Sequence, residues 1–227
     1  MFCACCEVEE QGVAMEVSPV PVIEEEVPKR PAAAPAEVAL KAAPTSGIFT
    51  VEIPLPASKP AQLGLDLDAI DSKGPIIVSI MPGVLKDFND ANPALSLEAY
   101  DRIEAVNGET GEPSKLYKAM TSAVEDLTRG KFTLTICRPR KFTASITKTG
   151  EPLGTQLNFK VSSAGIVVTR VSPGGLISKH NEQNPSSQIL PGDRVGALNG
   201  SHLKGGAMVD SLKKEPNLNL SVFRYDE

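Results

Sequence analysis

The first six residues contain three cysteines whose thiols could carry covalent chemistry. Cys3, Cys5 and Cys6 follow Met1-Phe2, and cysteines crowded at an exposed terminus are candidates for S-acylation. Two or three acyl chains would anchor a protein stably to a membrane, whereas one chain gives only marginal binding. Free thiols, or a weak metal site that lacks a fourth ligand, are the alternatives. Myristoylation is not expected, because Phe2 stands where its usual signal has glycine.

The rest of the chain offers little for catalysis. Its two histidines, His180 and His202, fall in predicted loops. The sequence contains no Gly-x-Ser-x-Gly elbow, phosphate-cradling loop or paired metal-ligand motif. The fourth cysteine, Cys137, falls in a predicted strand, so the cysteines do not form a disulfide framework and indicate a reducing compartment. We therefore predict a protein that is not an enzyme and that needs no cofactor or metal.

Charge and composition separate a tail from the remainder. Residues 1–46 are rich in Ala, Glu, Pro and Val, and they hold eight acidic and three basic residues, which account for the net charge of −5. Six prolines and low hydrophobicity predict that this tail is disordered. The neutral remainder lacks the basic footprint of a nucleic-acid binder. Because no signal peptide or run of 18 apolar residues occurs, we expect a cytoplasmic protein, peripheral at a membrane if the cysteines are acylated.

A repeat organises everything after the tail. The segment from Tyr100 to Gly108 is repeated 92 residues later, from Gly192 to Gly200. Residues 101–108 read Asp-Arg-Ile-Glu-Ala-Val-Asn-Gly, and residues 193–200 read Asp-Arg-Val-Gly-Ala-Leu-Asn-Gly. Leu-Gly, Pro-Gly and Asn-Pro pairs repeat in the same order, at shifts of 90 to 92. A repeat of this length is a domain rather than a solenoid unit. We therefore predict module 1 at residues 47–139 and module 2 at residues 140–227, behind the tail at 1–46.

Each module is predicted to be mainly β, with five or six short strands and one helix. Period-two alternation and β-branched runs predict the strands, and apolar residues three and four apart predict the helices at 114–127 and 207–213. The last strand of module 1 is expected to end near Arg138 and the first strand of module 2 to begin at Phe142, so only Pro139-Arg140-Lys141 lies between them. Because three residues reach about 10 Å, the modules must abut. The predicted strands lie at 49–53, 63–67, 76–80, 102–106 and 132–136, and at 144–146, 153–159, 166–171, 194–198 and 218–223.

Both halves resemble PDZ domains. The shared pattern is a Leu-Gly loop before the second strand, a Pro-Gly after the third, then Gly-Asp-Arg-Ile-x-x-Val-Asn-Gly, a helix and a last strand. Tyr100 replaces the first glycine of that motif in module 1, whereas Gly192 keeps it in module 2. Both copies carry a long segment before Asp-Arg, similar to the elongated PDZ modules of unicellular algae. The resemblance implies two PDZ-like, partly open β-barrels in tandem.

The resemblance also implies binding of C-terminal peptides of other proteins. In this family the peptide adds a strand beside the second strand, and its carboxylate meets backbone N–H groups of the Leu-Gly loop. A glycine suits such a loop, because it lets successive amides turn toward one point. The implied peptide-binding residues are Gln62, Leu63, Gly64, Leu65, Leu67, Met120, Val124 and Leu127 in module 1, and Leu153, Gly154, Thr155, Leu157, Gly205, Val209 and Leu212 in module 2.

The helix positions distinguish the two grooves. Alignment of Leu212 with Leu127 matches Gly205 to Met120, where many relatives that take Ser or Thr ligands have histidine. Met120 favours an apolar ligand residue, whereas Gly205-Gly206 weakens the start of its helix by about 1 kcal/mol per glycine. Module 1 is therefore the expected binder, and Gly64→Asp is expected to abolish binding with the fold intact. The groove of module 2 is degraded, wider or only structural.

Three functions remain open at this point. The first is a non-enzymatic scaffold or adaptor that gathers C-terminal peptides, with or without S-acylation of its tail. The second is a lipid-anchored, self-associating membrane tether like the Golgi stacking proteins, although Phe2 replaces the glycine that those proteins acylate. The third is a structural tandem whose grooves are closed.

Overall fold

The computed structural model describes residues 44–57, 61–126 and 128–226. The predictions for Cys3, Cys5, Cys6 and Leu127, and for nearly all of the tail, lie outside the described residues. Within the described residues, no helix combines the length and apolar character needed to cross a bilayer.

Module 1 is built around one antiparallel sheet with the strand order β1-β6-β4-β3-β2, and β5 pairs with β4. Helix α1 (Val84–Ala91) follows β3, and helix α2 (Pro113–Glu125) connects β5 to β6. Among the described residues the sheet does not close on itself, so it forms a partly open barrel. The strands are β1 (Gly47–Pro54), β2 (Leu65–Asp68), β3 (Ile76–Ile80), β4 (Arg102–Val106), β5 (Glu109–Thr110) and β6 (Lys131–Arg138).

Module 2 repeats this arrangement in a second sheet, with the order β7-β12-β10-β9-β8 and with β11 paired to β10. Its helices are α3 (Leu176–Gln183) and α4 (Gly205–Lys214). The predicted mainly β fold with two partly open sheets is therefore confirmed. The strands are β7 (Arg140–Thr147), β8 (Thr155–Asn158), β9 (Ile166–Val171), β10 (Arg194–Leu198), β11 (Ser201–His202) and β12 (Asn217–Arg224).

Each module has two helices where the sequence predicted one. Helices α1 and α3 are eight residues long and give only about two turns of periodic signal, too few to stand out. Helix α1 begins directly after the Pro-Gly pair of the repeat and α3 begins one residue later, after Gly175, and each helix buries three residues. The linker between the modules is shorter than the predicted three residues. Strand β6 ends at Arg138 and β7 begins at Arg140, so one residue separates them.

The Asp and Asn of the repeated motif have structural roles. Asp101 is fully buried and accepts two bonds from Arg138, with Nε–Oδ1 at 3.0 Å and Nη2–Oδ2 at 2.8 Å. Asn107 takes a left-handed φ of 51°, and its Oδ1 accepts a 2.9 Å bond from the N–H of Thr133. These contacts join the motif to the last strand of the sheet. The same contacts recur in module 2, where Asp193 pairs with Arg224 and Asn199 bonds to Asn219.

The two modules share a buried contact centred on Tyr100. Its ring stacks on Phe223 of module 2 at a centroid distance of 3.9 Å. Its hydroxyl donates a 2.9 Å bond to the carbonyl of Gly196, and its own carbonyl accepts a 2.8 Å bond from the Tyr225 hydroxyl. Burial raises the pKa of both tyrosines, which keeps the hydroxyls protonated as donors.

The contact with module 2 explains why module 1 has Tyr100 where the motif usually has glycine. Tyr100 adopts a φ of 72°, close to the 95° of its counterpart Gly192, and a bulky residue rarely takes this conformation. A Cβ on Gly196 would lie only 2.6 Å from Cζ of the Tyr100 ring. The unusual tyrosine of module 1 therefore fits against an unusual glycine of module 2, which stands where module 1 has Glu104.

Candidate functional site

The Leu-Gly loop of module 1 turns its amides away from helix α1. The carbonyls of Gln62, Leu63 and Gly64 accept bonds from the N–H groups of Val84, Leu85 and Met81, at 3.0, 3.5 and 2.8 Å respectively. In a trans peptide the N–H points opposite to the carbonyl. The next three amides, at residues 63–65, therefore face the opposite side together, in an arrangement that suits an anion.

Module 2 has the same loop geometry. The carbonyls of Pro152, Leu153 and Gly154 accept bonds of 3.1, 3.1 and 2.7 Å from residues 176, 177 and 172. Gly154 and Gly64 share a φ of 73°, which favours glycine. Both loops therefore direct three consecutive amides to the same side, at residues 63–65 and 153–155.

A strand with one unpaired edge follows each loop. Among the described residues, β2 pairs only with β3, and β8 pairs only with β9. Such an edge presents N–H and C=O groups that an added strand can pair with. Each of these strands also has a bulge, between Asp66 and Leu67 and between Gln156 and Leu157.

Apolar side chains form a wall beside the loop in module 1. Leu63, Leu65 and Leu67 are half-buried and pack against a core that contains Val124. The N–H of Ala61 bonds to the carbonyl of Val124 at 3.3 Å, which fixes the loop beside the end of α2. Gln62 is exposed at the rim. In module 2, Leu153, Thr155, Leu157 and Val209 are likewise half-buried, although Val209 lies at the helix position of Tyr117 rather than of Val124.

The predicted match between Met120 and Gly205 is wrong. Helices α2 and α4 begin 92 residues apart, and buried Leu116 and Met120 correspond to buried Met208 and Leu212. Three of the six additional residues of module 1 lengthen α2, and three lengthen the turn that follows it. Met120 is fully buried, so it belongs to the core rather than to an open surface.

Two residues of α2 that were not predicted from the sequence, Tyr117 and Thr121, are further candidates for contact with a ligand. At 100° per residue, Tyr117 and Thr121 share a flank of the helix with Val124. The opposite flank, with Lys118 and Ser122, lines a cavity against β4 and β5. Tyr117 is 57% exposed, which is unusual for a large aromatic side chain within an amphipathic helix. This exposure is set by how α2 packs, so no sequence pattern pointed to Tyr117.

Module 2 is closed at the far end of its groove. The N–H of Gly205 bonds to the carbonyl of Ser163 at 2.9 Å, and the N–H of Gly206 bonds to that of Val161 at 3.4 Å. An isolated bridge also joins Ala164 to Lys204. The loop after β8 thus covers the first turn of α4 and buries Gly205. Among the described residues of module 1, no backbone bond joins the loop after β2 to α2.

This closure predicts opposite outcomes for two neighbouring glycines. A Cβ on Gly205 would lie 2.4 Å from the backbone oxygen of Lys160, so Gly205→Ala should cost about 1–3 kcal/mol. A Cβ on Gly206 would touch the exposed, movable Cγ1 of Val161 at 3.3 Å and its Cα at an ordinary 3.6 Å, so Gly206→Ala should stabilise by about 1 kcal/mol through helix propensity. Urea unfolding of the two variants measures both effects. A stabilising Gly205→Ala would contradict the packing at this end.

The two histidines make structural contacts. His180 is buried in α3, and its Nε2 lies 3.2 Å from the carbonyl oxygen of Ser187. His202 Nδ1 lies 3.2 Å from the Tyr100 hydroxyl at the module contact. In the ranges that the structure covers, no group of three His, Cys, Asp or Glu residues is arranged to hold a metal.

Comparison with known proteins identifies similar structures but no similar sequence. No protein-family model matches the chain, and the search of curated proteins gave no match. INAD PDZ45 in complex with NG2 peptide is 18% identical, with a TM-score of 0.33 over 88% of this chain and 96% of that chain. INAD PDZ45 in complex with NORPA CC-PBM is also 18% identical, with a TM-score of 0.33 over 82% and 95%. The PDZ domain of choanoflagellate GIPC is 16% identical, with a TM-score of 0.32 over 39% and 94%. Both modules repeat one order of strands and helices, and among the described residues the second strand of each pairs on one edge only, which agrees with the predicted tandem of two PDZ-like modules.

Proposed function

We propose that the chain is a non-enzymatic scaffold whose module 1 binds C-terminal peptides of partner proteins by strand addition. One observation carries this proposal: three consecutive amides, at residues 63–65, face away from α1 at the start of the unpaired strand β2. A peptide paired with β2 would bring its terminal carboxylate to these amides. Its last side chain would then lie against Leu63, Leu65, Leu67 and Val124.

Module 1 is the stronger candidate for peptide binding, because the groove between β2 and α2 stays open past the start of α2, whereas the loop after β8 closes the groove of module 2. A peptide antiparallel to β8 would meet the loop of Ser163 and Val161 after about four residues, at roughly 3.3 Å per residue. A peptide along β2 would instead pass Tyr117 and Thr121. We therefore expect module 1 to accept longer peptides, with an aromatic and a hydroxyl contact in place of Met120 at the third-last ligand residue.

The carboxylate contact gives the first test. Decapeptides with free C-termini, drawn from a random library, are screened against the full chain, and each binder is remade as its C-terminal amide. Hydrogen bonds to a charged group contribute about 1.5–3 kcal/mol, so the amides should bind roughly ten- to 150-fold more weakly. Fluorescence polarisation measures both affinities. Equal affinities for acid and amide would refute the loop assignment.

Gly64→Asp tests the same loop, but the sequence-based expectation of an intact fold needs correction. Gly64 has a φ of 73°, and a Cβ there would lie 2.6 Å from the backbone oxygen of Met81, so the loop must move. Gly130→Asp is a matched control, because Gly130 also has a positive φ (64°) but open space around the Cβ. Loss of binding in the first variant alone would assign the effect to the loop.

Attachment to a membrane through Cys3, Cys5 and Cys6 stays a prediction, because these residues lie outside the described part of the chain. A hydroxylamine-sensitive mass shift on the tail would support acylation. Recovery of the protein only in the cytosolic fraction would count against it.

A further inference from the structure

Strand β2 of module 1 is tied to module 2 at its last residue. Asp68 is buried, and its Oδ2 accepts a 2.7 Å bond from Arg194 Nη1 and a 2.9 Å bond from the N–H of Ala164. Its Oδ1 accepts a 3.0 Å bond from the N–H of Ile70, which closes the turn after β2. One carboxylate therefore joins the end of the candidate binding strand to two groups of module 2.

The arginine of this contact is the arginine of the repeated motif, used differently in each module. In module 1, Arg102 pairs with Glu104 at 2.6 Å, within its own sheet. Module 2 has Gly196 at the position of Glu104, so Arg194 lacks the carboxylate two residues further along that Arg102 pairs with, and it reaches across to Asp68 instead. Arg194 is 1% exposed, and its Nε and Nη2 have no hydrogen-bond partner among the described residues. A buried charge held by so few bonds is costly, which favours a role in positioning over one in stability alone.

From these contacts we infer that Arg194 is a positioning residue for the peptide-binding groove of module 1. Strand β2 has only four residues, pairs on one edge among the described residues, and contains a bulge before Leu67. Such a strand has few bonds of its own to fix its edge for an incoming peptide. The bonds from Arg194 and Ala164 hold its far end, while the Leu-Gly loop holds its near end. This inference rests on the proposed function, since positioning matters only if β2 receives a peptide.

Arg194→Met in the full chain tests the inference and leaves every residue of module 1 unchanged. Methionine fills similar space, but it leaves buried Asp68 without its arginine partner, so the variant is expected to be less stable and is compared with the unmodified protein under conditions where both are folded. Hydrogen exchange should rise in the segment that contains β2, while β4, in the centre of the same sheet, stays protected. Affinity for a library-selected decapeptide with a free carboxylate should fall at least about fivefold, at the lower end of coupling between sites.

Two further variants sharpen the comparison. Arg224→Met removes an ion pair that lies within module 2, with Asp193, and should leave exchange in β2 and peptide affinity unchanged. Gly196→Val should also raise exchange in β2 and weaken peptide binding, because its side chain collides with the Tyr100 ring and so disturbs the same contact between the modules. It also serves if Arg194→Met does not fold.

The exchange measurement separates the two proposals. If no free-acid peptide binds the unmodified protein, the proposed function fails, yet the comparison of β2 exchange still decides whether Arg194 orders the strand. If peptides bind the unmodified protein and folded Arg194→Met alike, with equal exchange in β2, the positioning role is overturned.

Discussion

Gly196→Val is expected to separate the two modules while leaving each sheet folded. Any Cβ at this position would lie 2.6 Å from both the Tyr100 ring and the Phe223 ring, and these rings are already stacked on each other. Strand β10 itself should accept valine, because β-branched residues favour strands. Overpacking of this kind costs about 1–3 kcal/mol, and here it acts on the contact between modules through Tyr100 and on β12 of module 2 through Phe223.

The separation should be visible in shape and in cooperativity. Small-angle scattering should show a larger radius of gyration, and thermal unfolding should change from one transition to two. Gly206→Ala is a suitable control, since it adds a methyl group to module 2 where Gly206 has more space. An unchanged radius and a single transition at the original temperature would contradict the fit between Tyr100 and Gly196.

Asp101→Ala is expected to lower the free energy of unfolding by about 3–5 kcal/mol, because it leaves a buried arginine without its carboxylate. Asp101 is fully buried and holds Arg138 through two bonds, and it also accepts a 2.9 Å bond from the N–H of Glu98. Removing it therefore breaks three bonds at once, next to the residue that docks module 2.

Urea unfolding of the full chain measures this loss. Asp193→Ala should give a loss of similar size, since Asp193 makes the equivalent bidentate contact with Arg224. Asp90→Ala is the surface control: Asp90 pairs with Lys86 in the open and should contribute less than about 1 kcal/mol. If Asp101→Ala costs no more than Asp90→Ala, the motif aspartate does not have the structural role described here.

The sequence predicted most of the sheet because the signals for strands are local. Alternating and β-branched residues gave the bounds of β3, β4, β9 and β10 as they occur in the structure. The motif aspartates and asparagines marked the turns around β4 and β10, where their side chains bond to the last strand. Helices α1 and α3 were not predicted, because two turns of helix carry too little apolar periodicity to be distinguished from a loop.

The loop residues of the candidate site followed from the sequence, but the helix residues did not. Gly64 and Gly154 need a left-handed φ, which a Leu-Gly pair indicates directly. The helix alignment failed because the additional residues of module 1 lie within and after α2, and apolar residues alone cannot fix such a register. Tyr117 was missed because its exposure depends on how α2 packs.

The contact between modules could not be predicted, since it joins residues about 100 positions apart whose types look like irregularities. Tyr100 departs from the glycine of the motif, and Gly196 breaks an otherwise charged or apolar strand pattern. Each of these two residues is explained only by its contact with the other. Asp68 likewise has no marker in the sequence that links it to Arg194.

The fit of Tyr100 onto Gly196 also limits how far this architecture can grow. A head-to-tail contact between two copies of one module could in principle repeat without end and produce fibres. The same pair of residues cannot form this contact a second time within the two modules, because module 2 has Gly192 in place of the tyrosine and module 1 has Glu104 in place of the glycine. Two substitutions within a duplicated motif thus turn an open-ended contact into a closed pair.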